Sequence, residues 1–363
     1  MKKFNHEKLK AFVKAIFLSI NATEVNAEIC ADHLVTAELR GIPSHGLIRI
    51  LDYVRLYREG RLNPNPKLKI LYETPSTATI NGDKGCGLVV GKEAMEIAIN
   101  KAKTAGTGWV AVNNSNHFGI AGYHAMMALE HDMIGLTFTN ANPSVAPTFS
   151  LERLLGTNPI AMAAPAKLQP PFVADFSTST VPRGKVVIAM RAGQKIPYGF
   201  IQTKDGSPTD DPNEVLDGGC LLPLGSDRVH SSHKGYCLGG IVDILSGVLS
   251  GANFGLWVPP IASYQSVRDD MPGVGTGHFF GAMRIDAFGP ADNFKEMMDK
   301  WIATFRNSKT VEGEEKVIVP GDPERELTEI RKVEGIPVRE VIIEDICKLA
   351  IELGVDHECI NNK

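Results

Sequence analysis

Apolar residues recur at helical spacing at both ends of the chain and at strand spacing through its middle. Near the start, Phe4, Phe12, Val13, Ile16, Phe17 and Ile20 form an apolar stripe interrupted by Lys8, Lys10 and Lys14. That is the signature of an amphipathic core helix. Residues 24–40 repeat the pattern with Val25, Ile29 and Val35 on the apolar side, and Gly41-Ile42-Pro43-Ser44 ends the helix, with Ser44 placed to cap the next. Asn63-Pro64-Asn65-Pro66 reads as a linker, because proline breaks both helix and ladder. The period then changes. Residues 67–82 alternate as strands do, 91–105 read as a helix, and 109–112 as a short buried strand. Residues 134–138, 160–164, 172–175 and 186–190 read as further short strands between Gly, Pro and Asn turns. Many short strands with few helices between them predict a mixed or mostly antiparallel sheet rather than regular βαβ winding. After Pro337 the helical period returns with Val341, Ile342, Ile346, Leu349 and Ala350. The prediction is an α+β fold in which the two chain ends pack together as a helical unit around a β-rich middle.

Composition narrows the function classes. With 43% hydrophobic and 22% charged residues the 363-residue chain is globular, and its net charge of −4 carries no basic stripe, which argues against nucleic acid as a partner. Cys30, Cys86, Cys220, Cys237, Cys347 and Cys359 form no C-x-x-C pair, so reduced thiols of a cytoplasmic protein are expected rather than a disulfide frame or a zinc site. The lysines inside the first apolar run leave no signal-peptide core. The most apolar stretch, residues 235–255, holds Asp243. A charge at membrane depth is costly, so this stretch reads as a buried, small-residue-rich helix.

Four segments could carry chemistry. On a continuous helix His45, Arg49 and Tyr53 stand at i, i+4 and i+8 and share one face. An imidazole, a guanidinium fork and a phenol together suit a hydroxy acid: Arg49 would take the carboxylate and His45 would exchange the hydroxyl proton. Asn113-Asn114-Ser115-Asn116-His117-Phe118-Gly119 follows an apolar strand, where polar groups commonly line a pocket. Gly82-Asp83-Lys84-Gly85-Cys86-Gly87 is spaced G-x-x-G-x-G, and the next strand ends in Asn113-Asn114 rather than an acid, so a Rossmann dinucleotide turn is not expected there. Finally Gly156-Thr157-Asn158-Pro159, Asp175-Phe176-Ser177-Thr178, Arg183-Gly184-Lys185 and His233-Lys234-Gly235 offer loop hydroxyls, amides and cations fit for pyrophosphate and ribose. No H-E-x-x-H or G-x-S-x-G motif occurs.

Together these segments, with Thr139-Asn140-Ala141-Asn142-Pro143, Leu245-Ser246-Gly247 and Gly277-His278-Phe279-Phe280, span almost the whole chain in order. They resemble the malate/L-lactate dehydrogenase-like family, which includes sulfolactate and ureidoglycolate dehydrogenases and piperideine-carboxylate reductase. The resemblance implies a non-Rossmann nicotinamide-binding domain on a mostly antiparallel sheet, beside a helical domain, in a homodimer. The expected division is 1–72 with 323–363 (helical), 73–115 with 286–322 (connecting) and 116–285 (cofactor-binding). It implies that His45 or His117 handles the proton, with Arg49 on the carboxylate and Tyr53 and Asn142 orienting the substrate oxygen. The cofactor residues it implies are Gly119, Ile120, Ala121, Thr157, Asn158, Pro159, Asp175, Phe176, Ser177, Thr178, Lys234, Gly321 and Asp322. Asn142 departs from ureidoglycolate-type members, which carry Asp there; an amide would not raise a neighbouring imidazole's pKa as a carboxylate would. The expected reaction is hydride transfer between a nicotinamide, NAD or else NADP, and a small 2-hydroxy acid such as L-malate. Reduction of another 2-oxo acid or of a cyclic imine carboxylate is the alternative, and a catalytically silent nucleotide binder is the rival of another class. No metal and no membrane partner are expected.

Overall fold

The computed structural model describes residues 1–261 and 266–361. The first part of the chain forms strand β1 (Lys2–Phe4) and helices α1 (His6–Ser19), α2 (Glu24–Leu39) and α3 (Arg49–Arg58). Asn5 accepts amide hydrogens from Glu7 and Lys8 to cap α1, and Thr23 accepts one from Asn26 to cap α2. Next come β2 (Lys69–Glu73), β3 (Thr77–Gly85), α4 (Gly87–Ala105), β4 (Thr107–Ser115) and α5 (Ala121–Met126). Strands β5 (Met133–Thr139), β6 (Ile160–Ala164) and β7 (Phe172–Phe176) precede α6 (Arg183–Arg191). The short strands β8 (Ile201–Gln202), β9 (Pro208–Thr209) and β10 (Cys220–Leu221) lead to α7 (Ser232–Asp243), which continues through a π-helical turn, Ile244–Val248. The chain closes with β11 (Thr276–Arg284), α8 (Ala291–Arg306), α9 (Asp322–Glu334), β12 (Ile336–Val338), α10 (Glu340–Leu353) and α11 (Glu358–Asn361).

The central sheet has seven strands in the order β2-β3-β4-β11-β5-β6-β7, and every pair except the parallel β3–β4 is antiparallel. Val90, Ala94 and Ala98 of α4 pack on Ile80, Val110, Val112 and Phe280 of the sheet. A second core joins the two ends of the chain: Phe12, Ile16 and Leu34 pack with Ile346 and Ala350, and β1 pairs with β12. The predicted union of the ends therefore has both a ladder and a core. A smaller third core of Val145, Leu155, Val186, Ile201 and Leu221 sits under the three-stranded sheet β10-β8-β9.

The structure differs from the sequence pattern at five places. Residues 186–190 lie in helix α6, with Val186 buried in the third core and Ile188 exposed. That one-sided burial suits a helix, and the β-branched run does not override it. Val25 is 69% exposed, so it does not belong to the apolar side of α2 on which its spacing places it. His45 is not on the same helix as Arg49, because Pro43–His45 forms a 3-10 turn and α3 starts at Arg49. Ser44 does not cap α3; its hydroxyl pairs with the His45 ring. Residues 235–255 begin as a helix, but that helix exposes Ile241, Ile244 and Val248 instead of being buried all round. Cys30, Cys86 and Cys220 are buried free thiols, and the Cys359 side chain lies outside the described residues. Among the described residues no cluster suits a metal ion, and no helix is long and apolar enough to cross a membrane.

Candidate active site

Strand β4 is paired on both sides, so the loop at its end, residues 116–120, leaves a rigid edge. Each residue of that loop is tied down. The Asn116 amide donates to the carbonyls of Arg61, Lys84 and Gly85 at 3.2, 2.8 and 3.1 Å. Gly87 passes so close to the backbone of Asn116 and His117 that a Cβ there would collide with it. The Tyr53 hydroxyl lies 2.8 Å from His117 Nδ1, and the Gly119 amide donates to the same nitrogen at 3.3 Å. His124 Nε2 pairs with the Phe118 carbonyl at 3.0 Å, and the Ile120 amide donates to His33 Nε2 at 2.9 Å.

From the other side the 3-10 turn brings His45 against His117, with ring centroids 5.4 Å apart and planes 21° from parallel. Ser44 Oγ is 2.9 Å from His45 Nδ1. Arg49 is anchored by Nε on the Ser44 carbonyl at 2.8 Å and by Nη1 on Asp52 at 2.9 Å. Tyr53, placed on the shared face in the sequence pattern, is fully buried behind His117, while both histidines stay partly accessible. Helix α6 starts at the same place, since a Cβ on Gly184 would lie 3.8 Å from Ser44 Cβ.

Burial, and secondarily the Arg49 charge, pushes His45 down to about 3. Burial followed by His45, Arg49 and His278 holds His117 well below the ordinary histidine value. The Tyr53 phenol is raised well above its usual range, mainly by burial and then by the thiols of Cys86 and Cys30. The site therefore holds two neutral imidazoles backed by a protonated phenol. Such a pair can take a proton from one oxygen and donate a hydrogen bond to it.

Of the remaining predicted residues, Asp175 reaches the segment that follows this loop, and the others fall into separate contacts. Asp175, at the end of β7, accepts from the Gly122 amide at 2.7 Å and so ties Gly119, Ile120 and Ala121 to Phe176 and Ser177. Asp175 is raised to about 6, chiefly by burial. Thr178 donates through its amide to Thr157 and through its hydroxyl to Asn158, and Asn158 donates to Gly239 of α7 while accepting from Ala141, next to Asn142. Pro159 leads directly into β6. Lys234 stands exposed in the first turn of α7. Gly321 lies against Val173 of β7, whereas the Asp322 carboxylate is taken up by Arg306 and Arg325 at 2.9 and 2.6 Å.

Residues 4–347 match the family model described as malate/L-lactate dehydrogenase. The chain belongs to the malate/L-lactate dehydrogenase family. It is 42% identical to a malate dehydrogenase of Pyrococcus abyssi over 350 residues, covering 96% of this chain and 94% of that one. It is 38% identical to an L-sulfolactate dehydrogenase of Methanocaldococcus jannaschii, covering 97% of each. The solved malate dehydrogenase of Pyrococcus horikoshii OT3 superimposes with a TM-score of 0.89 at 38% identity, over 98% of this chain and 96% of that one. As a malate/L-lactate dehydrogenase family member the protein is a nicotinamide-dependent 2-hydroxy-acid dehydrogenase.

The residues fit a nicotinamide cofactor. Asp175 is a partly accessible carboxylate of the kind that accepts ribose hydroxyls, and Gly122 approaches it so closely that a Cβ would sit 2.9 Å from its Oδ2. The sequence pattern did not single out His33, His124, Asn116 or Asp52. Asn116 lies inside the polar motif of residues 113–119. His33 is, with Glu38, a polar residue on the buried side of α2, and that signal has many structural explanations.

Proposed function

We propose that the protein interconverts L-malate and oxaloacetate with NAD, using His45 as the proton-transfer group and His117 as the orienting donor. The stacked pair of neutral imidazoles beside Arg49 carries this reading. The Gly119 amide can only donate, so His117 Nδ1 is an acceptor and the ring's proton sits on Nε2. His117 thus offers an N–H to the substrate oxygen. His45 can donate Nδ1–H to Ser44 Oγ, leaving Nε2 bare to take the hydroxyl proton. Arg49, braced by Asp52, faces the carboxylate, and Tyr53 orients His117 from behind. Bound nicotinamide supplies the hydride acceptor. Gly119, Ile120, Ala121 and Asp175 would hold it, with the clasp of Thr157, Asn158, Pro159 and Thr178 behind them, and Asn142 borders that clasp. The malate and L-sulfolactate dehydrogenases among its relatives favour a dianionic acid.

We also propose a cytoplasmic homodimer. Cys237, Ile241, Ile244 and Val248 follow one another at spacings of four, three and four along the exposed side of α7 and its π-turn, a stripe suited to burial against a second copy. Initial rates with oxaloacetate, pyruvate and 2-oxoglutarate, each with NADH and NADPH, test the catalytic reading. Fastest turnover of oxaloacetate with NADH is expected. Absence of turnover in all six reactions sinks it.

A further inference from the structure

His33 has no part in the chemistry above, yet it is fully buried on α2 against the loop that carries His117. Burial leads the causes that hold it well below the ordinary histidine value, followed by His124, His117 and His45, so the ring is neutral. The Ile120 amide donates to its Nε2, and an amide cannot accept. The single ring proton must therefore sit on Nδ1, which is buried with no partner among the described residues. His124, whose ring lies 5.0 Å away, is the opposite case. Its Nε2 faces the Phe118 carbonyl, so the proton sits on Nε2, and its Nδ1 is the buried atom without a partner. Two neighbouring histidines thus hold alternate residues of one loop in opposite tautomers, each leaving one polar atom unsatisfied. Burying such an atom is costly, and an apolar side chain would avoid it.

The bond His33 makes reaches the reacting group through Gly119. Gly119 has φ +80, lies so close to the His33 ring that a Cβ would collide with it, and donates its amide to His117 Nδ1. The Ile120 amide that His33 holds lies in the Gly119–Ile120 peptide. At the Gly119 Cα this meets the Phe118–Gly119 peptide, which carries the Gly119 amide and whose carbonyl pairs with His124, so the two histidines hold both peptides flanking Gly119. We infer that His33 is a positioning residue for the dehydrogenase reaction: by holding the Gly119–Ile120 backbone it keeps Nδ1 of His117 an acceptor and Nε2–H turned toward the substrate. This rests on the assignment of the reaction to His45 and His117, and it adds a residue on a different helix that sets which tautomer His117 presents. Tyr123, its ring centroid 4.1 Å from that of His33 and tilted by 32°, donates its hydroxyl to Asp32 at 2.8 Å and packs against the His33 ring.

The test combines nitrogen-15 NMR of histidine-labelled protein with kinetics of His33→Leu and His33→Gln. In the parent, the ring shifts are expected to show His33 as the Nδ1–H tautomer, and His124 and His117 as Nε2–H. In His33→Leu the His117 signals should move toward a tautomer mixture. Turnover should fall by about a hundredfold at a nearly unchanged KM for the 2-oxo acid, as a small misplacement of a reacting group can produce. Gln carries an acceptor to the same place and should restore most of the loss. An Nε2–H tautomer at His33 in the parent overturns the proposal, as does a His33→Leu protein with parental turnover or unchanged His117 shifts. If the parent turns over none of the 2-oxo acids, the catalytic reading fails, while the His117 shifts of parent and variant still decide whether His33 governs that ring.

Discussion

A histidine in water changes charge near neutrality, and the two at this site have lost that property through burial. His45, pushed down to about 3, stays neutral through the neutral and mildly acidic range. The sign follows directly. Oxidation of the hydroxy acid needs the neutral ring, which persists far below the ordinary value. With NAD saturating, Asp175 at about 6 no longer limits cofactor binding, so kcat/KM for the hydroxy acid should stay flat from about pH 8 to about pH 5.5. Initial-rate measurements across that range check it. An inflection near the ordinary histidine value would show an unburied base. Tyr53 makes the residue-scale contrast. Its position four residues after Arg49 was legible, but its role was not, because the partner that turns it inward is 64 residues away. The residue that faces substrate in the sequence pattern is the one that orients His117 in the structure.

At the scale of elements, β4 and its loop show how much a strand end can hold. The apolar strand and the polar residues after it were both visible in the sequence, and the structure adds that every residue from Asn116 to Ile120 is fixed by a separate hydrogen bond. Helix α6 shows the opposite case. Val186, Val187 and Ile188 read as a strand, since β-branched residues favour one, yet only Val186 is deeply buried, and packing on the third core chose the helix. Helix α7 carries the prediction at this scale. Ile241 and Ile244 are 50% and 57% exposed on one copy. If a second copy covers them, Ile241→Lys with Ile244→Lys should shift the sedimenting species from dimer to monomer while circular dichroism stays unchanged. A parent that sediments as a monomer would remove the proposed dimer.

For the whole molecule, the buried histidines set acid sensitivity. His33, His45, His117, His124 and His278 are all lowered by burial, with His124 at about 4 and His278 at about 3. Below the ordinary value of about 6.5 the unfolded chain takes up protons that the folded one refuses, so each ring costs about 1.4 kcal/mol of stability per pH unit. Asp175 and Asp243, raised to about 6, and Glu38 and Glu93, also raised by burial, act the other way by binding protons in the folded state first. Five rings outweigh these four carboxyls, so urea midpoints should fall below about pH 6, ahead of ordinary carboxylate titration. A midpoint unchanged down to about pH 5 would contradict the buried neutral rings. By itself the sequence determined the α+β class, the joining of the chain ends and the lack of Rossmann spacing at residues 82–87, and it named His45 and His117 as candidates. Those follow from local periods and from short motifs, which are properties of neighbouring residues. Only the tertiary structure decided that His45 belongs to a 3-10 turn, that Tyr53 and Gly119 share one nitrogen of His117, and that His33 holds the loop behind it. Burial and hydrogen-bond partnership join residues far apart in the chain, and no period along the sequence records which of them meet.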